Sequence, residues 1–192
     1  MQDALSNAFA EASLFLVDVV RLIPNSGWDR PGLGDWSVRE LVAHANRGQT
    51  TVTDYLINPQ PPEPPGSSYF SPELVAARGR DAVAALGNDP LASIETASVS
   101  VIRLVEQTPA HASVGSPAGT MTLAQYLPSR IAELTIHALD IGRAVQTELS
   151  VPPNALRESL TFVARRAAAK SGQDVLLALA GRTRLPDGYS AY

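Results

Sequence analysis

The chain has 192 residues, 45% hydrophobic and 18% charged, and this length and balance predict one globular domain with a buried core. Its formal net charge of −4 leaves no basic surface for nucleic acid, so no nucleic-acid partner is expected. The absence of cysteine excludes disulfides, thiolate metal ligands and a cysteine nucleophile.

The sequence predicts neither membrane insertion nor export. A membrane-spanning helix needs about 18 or more consecutive apolar residues, and no such run occurs. Asp3 and Glu11 stand where a secretory signal would carry Lys or Arg. We therefore expect a cytoplasmic protein without a membrane partner.

Apolar residues recur every three or four positions at the start of the chain, which predicts an amphipathic helix that ends at Pro24. Its predicted core face is Leu5, Ala8, Phe9, Ala12, Leu16, Val19, Val20 and Ile23. A connection rich in turn-forming residues follows, with Trp28 and Trp36 at or near its ends. We expect both rings to close one end of a helical bundle.

Ser37 and Glu40 have the spacing of a capping box, which predicts that a second helix begins there. Its predicted apolar stripe is Val38, Leu41, Ala45, Val52 and Leu56. His44 lies on the border of this stripe, between its core side and its solvent side. Because the capping role accounts for Glu40, we do not count Glu40 as a metal ligand.

Repeated prolines in the segment 58–71 exclude a helix or a central strand and predict a long loop. Such a loop either covers a functional site or is a passive connection. Ser71 and Pro72 then predict the start of a third helix, and Gly87 its end. Asp89-Pro90 restarts the helical pattern, as a separate helix or as the far half of a kinked one.

Gly115, Pro117 and Gly119 predict a loop over residues 110–120, in which we expect His111 at the surface and not on a metal. Thr122 and Gln125 form a second potential capping box, but Pro128 predicts that the helix kinks or begins there. The apolar stripe that follows is Ile131, Leu134, Ala138, Ile141 and Val145.

Pro152-Pro153 predicts a break before a further helical stretch that ends near Gly172. Its apolar positions are Leu156, Leu160, Val163 and Ala167. The apolar segment 174–181 fits either type of secondary structure, and we expect an irregular tail over 185–192.

Glu133 and His137 are four residues apart on a predicted helix, so both side chains can reach one point beside it. His44 is the candidate third ligand, on another predicted helix that can pack against this one. Two histidines and one carboxylate leave an open coordination position, as catalytic metal sites do. In the alternative interpretation Arg130 pairs with Glu133, and the histidines are hydrogen-bonded structural residues.

Two segments of the chain, Trp28 to Arg47 and Gly119 to Val145, resemble the mycothiol-dependent maleylpyruvate isomerase N-terminal family of the DinB-like metalloenzyme superfamily. The motifs are Pro-Gly-Leu-Gly-Asp-Trp-Ser-Val-Arg-Glu-Leu-Val-Ala-His in the first segment and Glu-Leu-Thr-Ile-His-Ala-Leu-Asp-Ile in the second. The resemblance implies an all-α fold, with a DinB-like four-helix bundle over residues 1–150 and a short helical extension over 151–192.

The same resemblance implies a divalent metal, most often zinc with nickel or iron as alternatives. Its implied ligands are His44, Glu133 and His137, with Asp140 as a polar partner of the second histidine and Arg130 as a further neighbour. Family isomerases carry a larger C-terminal domain with cationic residues, of which 176–182 resembles only a remnant. Metal binding is therefore better supported than maleylpyruvate as the substrate.

A protein without cysteine needs an external thiol for thiol chemistry, and the resemblance implies mycothiol as this cosubstrate. The predicted function is S-transfer to, or isomerisation of, a small electrophilic substrate through a metal-bound thiolate. The alternatives are a metal-dependent hydrolase that activates water, an iron site for oxygen chemistry, and a non-catalytic metal-binding bundle that serves as a sensor or interaction module. The family also suggests a homodimer.

Overall fold

The computed structural model describes residues 2–64 and 67–191, and its regular structure is mostly helical. Its helices are α1 (Gln2–Arg21), α2 (Val38–Ile57), α3 (Pro72–Leu86), α4 (Pro90–Gln107), α5 (Leu123–Ala144) and α6 (Pro153–Leu179). Two short strands, β1 (Ser113–Ser116) and β2 (Gly119–Thr122), form an antiparallel hairpin. The predicted all-α class is confirmed.

Four helices enclose the core of the protein. Helices α1 and α2 each pack against both α4 and α5, so these four helices form the bundle. Helix α3 packs on the outside of α2, and α6 packs on α5 and α1. The predicted face of α1 is buried from Ala8 to Ile23, and it meets Leu41, Ile94 and Leu134 in one hydrophobic core. The predicted DinB-like bundle with a C-terminal helix is therefore confirmed, while the division at residue 150 stays a prediction.

Both predicted capping boxes form, and they fix where α2 and α5 begin. The backbone N–H of Ser37 donates to Glu40 Oε2 at 2.7 Å, and the N–H of Glu40 donates to Ser37 Oγ at 3.3 Å. Thr122 and Gln125 exchange the same pair of hydrogen bonds. Helix α5 therefore begins at Leu123 and continues past Pro128, so a helix start at Pro128 is wrong.

The predicted loop over 110–120 is wrong, because most of this segment forms the β1–β2 hairpin. Its strands are only four residues long and rich in Ser, Thr and Gly, so they carry little apolar alternation to reveal them. Residues 58–64 pack on this hairpin, where Gln60 N–H donates to the Gly115 carbonyl at 2.9 Å. A Cβ at Gly115 would lie 2.7 Å from Pro59 Cβ, so glycine permits the contact. Residues 65 and 66 of the predicted loop lie outside the described residues.

The third and fourth predicted helices are separate helices, not two halves of one kinked helix. Gly87 ends α3 with a positive φ of +64°, and the Asp89 side chain caps α4, so the two are separate helices. Within residues 2–64 and 67–191, we find no helix that combines the length and apolar character needed to span a membrane.

The predicted apolar face of α6 is wrong in its first turns. Leu156 and Leu160 are 40% and 61% exposed. The buried positions are Ala155, Ser159 and Ala167. These small side chains allow α6 to approach the bundle closely, so the positions of the large apolar residues did not predict the buried face. The segment 174–181 is largely helical, and the backbone leaves helical geometry at Ser171 with φ −155° and ψ 46°.

One carboxylate of the bundle fastens the start of α6. Glu11 Oε2 accepts hydrogen bonds from the backbone N–H of Asn154 at 2.8 Å and of Ala155 at 3.1 Å. Its other oxygen accepts a bond from the Asn154 side chain at 2.6 Å. A side chain of α1 thus satisfies N–H groups that have no partner within α6.

Candidate metal centre

The candidate metal ligands lie on the seam between α2 and α5. The start of α2 meets the end of α5 at His44 and His137, whose ring centroids are 5.0 Å apart. At the other end of the seam, Tyr126 Oη donates a hydrogen bond to Thr51 Oγ1 at 3.2 Å. The two helices are therefore antiparallel. They pack closely at Gly48, where a Cβ would lie 3.0 Å from Leu134 Cδ2.

The three predicted donors converge. His137 Nε2 lies 3.3 Å from Glu133 Oε2, and His44 Nε2 lies 4.0 Å from the same oxygen. The candidate ligand atoms of the three residues all lie within 4.8 Å of one another. Ligand atoms about 2.0–2.1 Å from a tetrahedral ion lie about 3.4 Å apart. The Glu133–His137 pair fits this spacing, and a small approach of His44 would complete the set.

Neighbouring side chains orient both imidazoles. His137 Nδ1 lies 3.4 Å from Asp140 Oδ2, which directs Nε2 toward Glu133. The Trp36 ring lies against His44, with ring centroids 4.6 Å apart and an interplanar angle of 41°. Trp36, which we predicted to close the bundle end, thus also restricts the His44 ring.

The alternative pairing of Arg130 with Glu133 does not form. These two residues, both in the described part of the chain, make no ion pair within 4.0 Å. Arg130 Nε instead donates to Ser129 Oγ at 3.2 Å, and its guanidinium lies 5.1 Å from the Tyr126 ring centroid. His111 is exposed in the turn before β1 and takes no part in the cluster.

Burial and neighbouring charge set opposite protonation tendencies in the two histidines. The pKa of His44 falls to about 4 because burial, and then the charge of His137, disfavours its imidazolium. Burial alone would lower the pKa of His137, but the nearby carboxylates of Asp140 and Glu133, which attract the protonated ring, outweigh it and raise the pKa to about 9. Burial would raise the pKa of Glu133, yet the His137 hydrogen bond and nearby positive charges lower it.

These directions describe a donor set prepared for a cation. Glu133 is a carboxylate at neutral pH, and His44 is neutral with a free lone pair. His137 carries a proton that an incoming divalent ion would displace. The side chains are 28% exposed for His44, 23% for Glu133 and 14% for His137, so the cluster is shielded but reachable.

Comparison with protein families agrees with this geometry. The family model of the mycothiol maleylpyruvate isomerase N-terminal domain matches residues 9–142. The chain belongs to this family. The matched range contains the bundle, from α1 to nearly the end of α5, and all three candidate ligands. No curated protein and no solved structure gives a significant match to the chain.

Membership of the mycothiol maleylpyruvate isomerase N-terminal domain family implies a mycothiol-related isomerase or DinB-like function. The structure adds a cavity of about 410 Å³ beside the donor cluster, lined by His44 and Glu133. Of its other polar lining residues, the sequence had indicated only Arg130, as a neighbour of the metal site. The complete set is Arg47, Thr51, Tyr55, Tyr69, Arg78, Ser116, Tyr126 and Arg130.

A spacing signal could have revealed part of this lining. Residues 44, 48, 51 and 55 of α2 follow steps of four, three and four, and all four line the cavity. Residues 126, 130, 133 and 137 of α5 repeat the same steps. Each set therefore occupies one face of its helix. Tyr69 comes from the segment between α2 and α3, so the proline-rich connection delivers a side chain to the cavity.

Proposed function

We propose that this protein is a divalent-metal-dependent enzyme that joins the thiol of mycothiol to a small electrophile, as an S-transferase or an isomerase. The observation that carries the proposal is the convergence of His44, Glu133 and His137 beside a cavity that is large enough for a small molecule and is lined by the first two of them. Family membership supports the choice of thiol. The absence of cysteine means that the reacting sulfur comes from outside the chain.

His44 Nε2, Glu133 Oε2 and His137 Nε2 would hold the ion, and zinc suits two imidazoles and one carboxylate best. Nickel and iron accept the same donors. A divalent ion held there keeps net positive charge and lowers the pKa of a thiol that enters the cavity. Asp140 would keep the His137 ring in place after its proton has left.

The thiolate could react with a small electrophile in two ways. When a thiolate adds to an electron-poor double bond, a C–S bond forms and the remaining single bond can rotate. Elimination of the thiolate then restores the double bond in the other geometry, which is cis-trans isomerisation. If the electrophile instead carries a leaving group, that group departs with the electron pair and the sulfur stays bound, which is S-transfer.

The test is turnover of a panel of small electrophiles by zinc-loaded protein, with and without mycothiol. We expect thiol-dependent loss of at least one electrophile, with the adduct or isomer identified by mass spectrometry. His44→Ala should abolish this activity, and the matched variant His111→Ala should keep it, because His111 is exposed and is not part of the cluster. Turnover that needs metal but not thiol would replace the proposal with a hydrolase.

A further inference from the structure

The two histidines of the donor cluster are held in different ways. His137 Nδ1 faces the Asp140 carboxylate at 3.4 Å, the arrangement in which a neighbouring group fixes the ring of a metal-binding histidine. Within residues 2–64 and 67–191, no protein group forms a hydrogen bond with either ring nitrogen of His44, and its one carboxylate contact is Glu133 Oε2 at 4.0 Å. The orientation of the His44 ring must therefore come from packing.

The Trp36 ring supplies this packing. Its centroid lies 4.6 Å from that of His44, closer than the 5.0 Å between the ring centroids of His44 and His137. The indole is half-buried and packs against the hydrophobic core, so it has little freedom to turn away. Of the described residues that line the cavity, His44 is one and Trp36 is not. The indole thus covers a side of His44 that does not face the cavity.

A tight loop over residues 30–38, here called the Trp36 loop, fixes the position of the indole. Gly32 N–H donates to the Trp36 carbonyl at 2.6 Å. A Cβ at Gly32 would lie 2.8 Å from a backbone carbonyl oxygen across the loop, so glycine permits this close approach. Val38 N–H, which has no partner within α2, donates to the Arg30 carbonyl at 2.9 Å. The loop is therefore anchored to the start of α2.

We infer that Trp36 is a positioning residue of the metal centre, because it holds the His44 imidazole toward Glu133 and His137 although indole has no lone pair to offer an ion. Without the indole, the histidine can rotate into the space that Trp36 leaves, and metal binding must then restrict that rotation. With the indole present, the ring is oriented before an ion arrives, and the side of His44 that faces the cavity stays open. The inference rests on the proposed function only in taking a divalent ion as the occupant of the three donors.

The test compares metal binding by the whole chain and its variants, without thiol or substrate. Zinc affinity is measured by chelator competition, and cobalt(II) absorption reports the coordination of the ion. Trp36→Ala removes the ring, Trp36→Leu does so while keeping apolar bulk against the core, and Trp36→Phe keeps an aromatic face. His44→Ala defines the loss of the ligand itself.

Trp28→Ala is the matched control. Trp28 is the second of the two tryptophans and is also half-buried against the core, but its ring lies on Arg39, with 5.2 Å from the guanidinium carbon to the ring centroid. Thermal unfolding of the metal-free proteins shows which variants are folded at the assay temperature. The comparison separates positioning of His44 from a general loss of packing.

We expect Trp36→Ala and Trp36→Leu to lower zinc affinity by about tenfold or more, as loss of a group that orients a metal ligand does. Their cobalt absorption should shift toward that of His44→Ala, and Trp36→Phe should retain most of the wild-type affinity. Trp28→Ala should leave both readouts unchanged. Zinc affinity and cobalt absorption that are the same in the Trp36 variants as in Trp28→Ala would overturn the inference and leave the proposed function standing. Wild-type protein that binds neither ion would overturn both.

Discussion

Replacing Gly48 with valine tests whether the close approach of α2 and α5 sets the geometry of the candidate metal centre. A Cβ at Gly48 would lie 3.0 Å from Cδ2 and 3.1 Å from Cγ of Leu134. Leu134 is fully buried, so its side chain has little room to move. Valine adds two methyl groups beyond Cβ, and the helices must separate or Leu134 must leave its rotamer.

The magnitude follows from two opposing terms. Overpacking a core position costs about 1–3 kcal/mol, while removal of a helical glycine returns about 0.4 kcal/mol. For a domain of this size each kcal/mol lowers Tm by about 2–4 °C, so Gly48→Val should lower Tm by about 1–10 °C. His44 Nε2 is already 4.0 Å from Glu133 Oε2, against 3.3 Å for His137, so helix separation removes His44 first. We expect zinc affinity to fall by about tenfold or more.

Thermal unfolding and zinc titration against a chelator measure both effects. Gly79→Val is the matched control, because a Cβ at Gly79 meets nothing within 4 Å. The double variant Gly48→Val/Leu134→Ala should be less destabilised than the sum of its single variants, because the alanine removes the atoms that valine meets. If Gly48→Val matches the control in both Tm and zinc affinity, the helix approach does not set the site.

Three further predictions concern the metal ligands and α6. Asp140→Asn should lower zinc affinity by about 10–100-fold in a chelator competition, because the carboxylate orients His137, and unchanged affinity would contradict this role. Metal-free protein should be most stable to urea near pH 6.5. As the pH rises toward the raised pKa of His137, about 9, His137 loses its proton and up to about 3 kcal/mol of stability is lost. As the pH falls toward the lowered pKa of His44, about 4, the unfolded chain takes up the proton more readily than the folded protein, and a similar amount is lost. His137→Ala should remove the alkaline slope and weaken the acid slope, because the charge of His137 helps to lower the pKa of His44; an alkaline slope that persists would assign it to other groups. Glu11→Ala should cost about 1–2 kcal/mol in urea unfolding, because two backbone N–H groups at the start of α6 lose their acceptor; no loss would mean that water replaces the carboxylate.

Local chemistry accounts for what the sequence predicted well. Capping boxes at Ser37 and Thr122 are complete within four residues, so their hydrogen bonds do not depend on the rest of the fold. The core face of α1 and the border positions of His44 and Glu133 follow from helical periodicity alone. These features needed no knowledge of which helices are neighbours.

The predictions that failed concern features that depend on tertiary contacts. The local sequence does not identify Ala155 and Ser159 as the buried side of α6, because their burial depends on close packing against α5. In that contact Ser159 Oγ lies 3.5 Å from the Ile131 carbonyl oxygen. The hairpin has a tertiary contact that no local pattern shows, because Gly115 leaves room for residues 58–64 against it. Arg78 reaches the cavity because α3 packs on α2, and the apolar pattern of neither helix predicts that the two are neighbours.

The α2–α5 seam explains why metal ligands and cavity side chains occur together in this chain. Both helices place donor or cavity residues at steps of four, three and four, and antiparallel packing sets the two rows side by side. The histidines then meet at one end of the seam, and Thr51 meets Tyr126 at the other. A change in the spacing of α2 and α5 must therefore alter the donor cluster and the cavity together, whereas a change confined to α6 should alter stability and leave both intact.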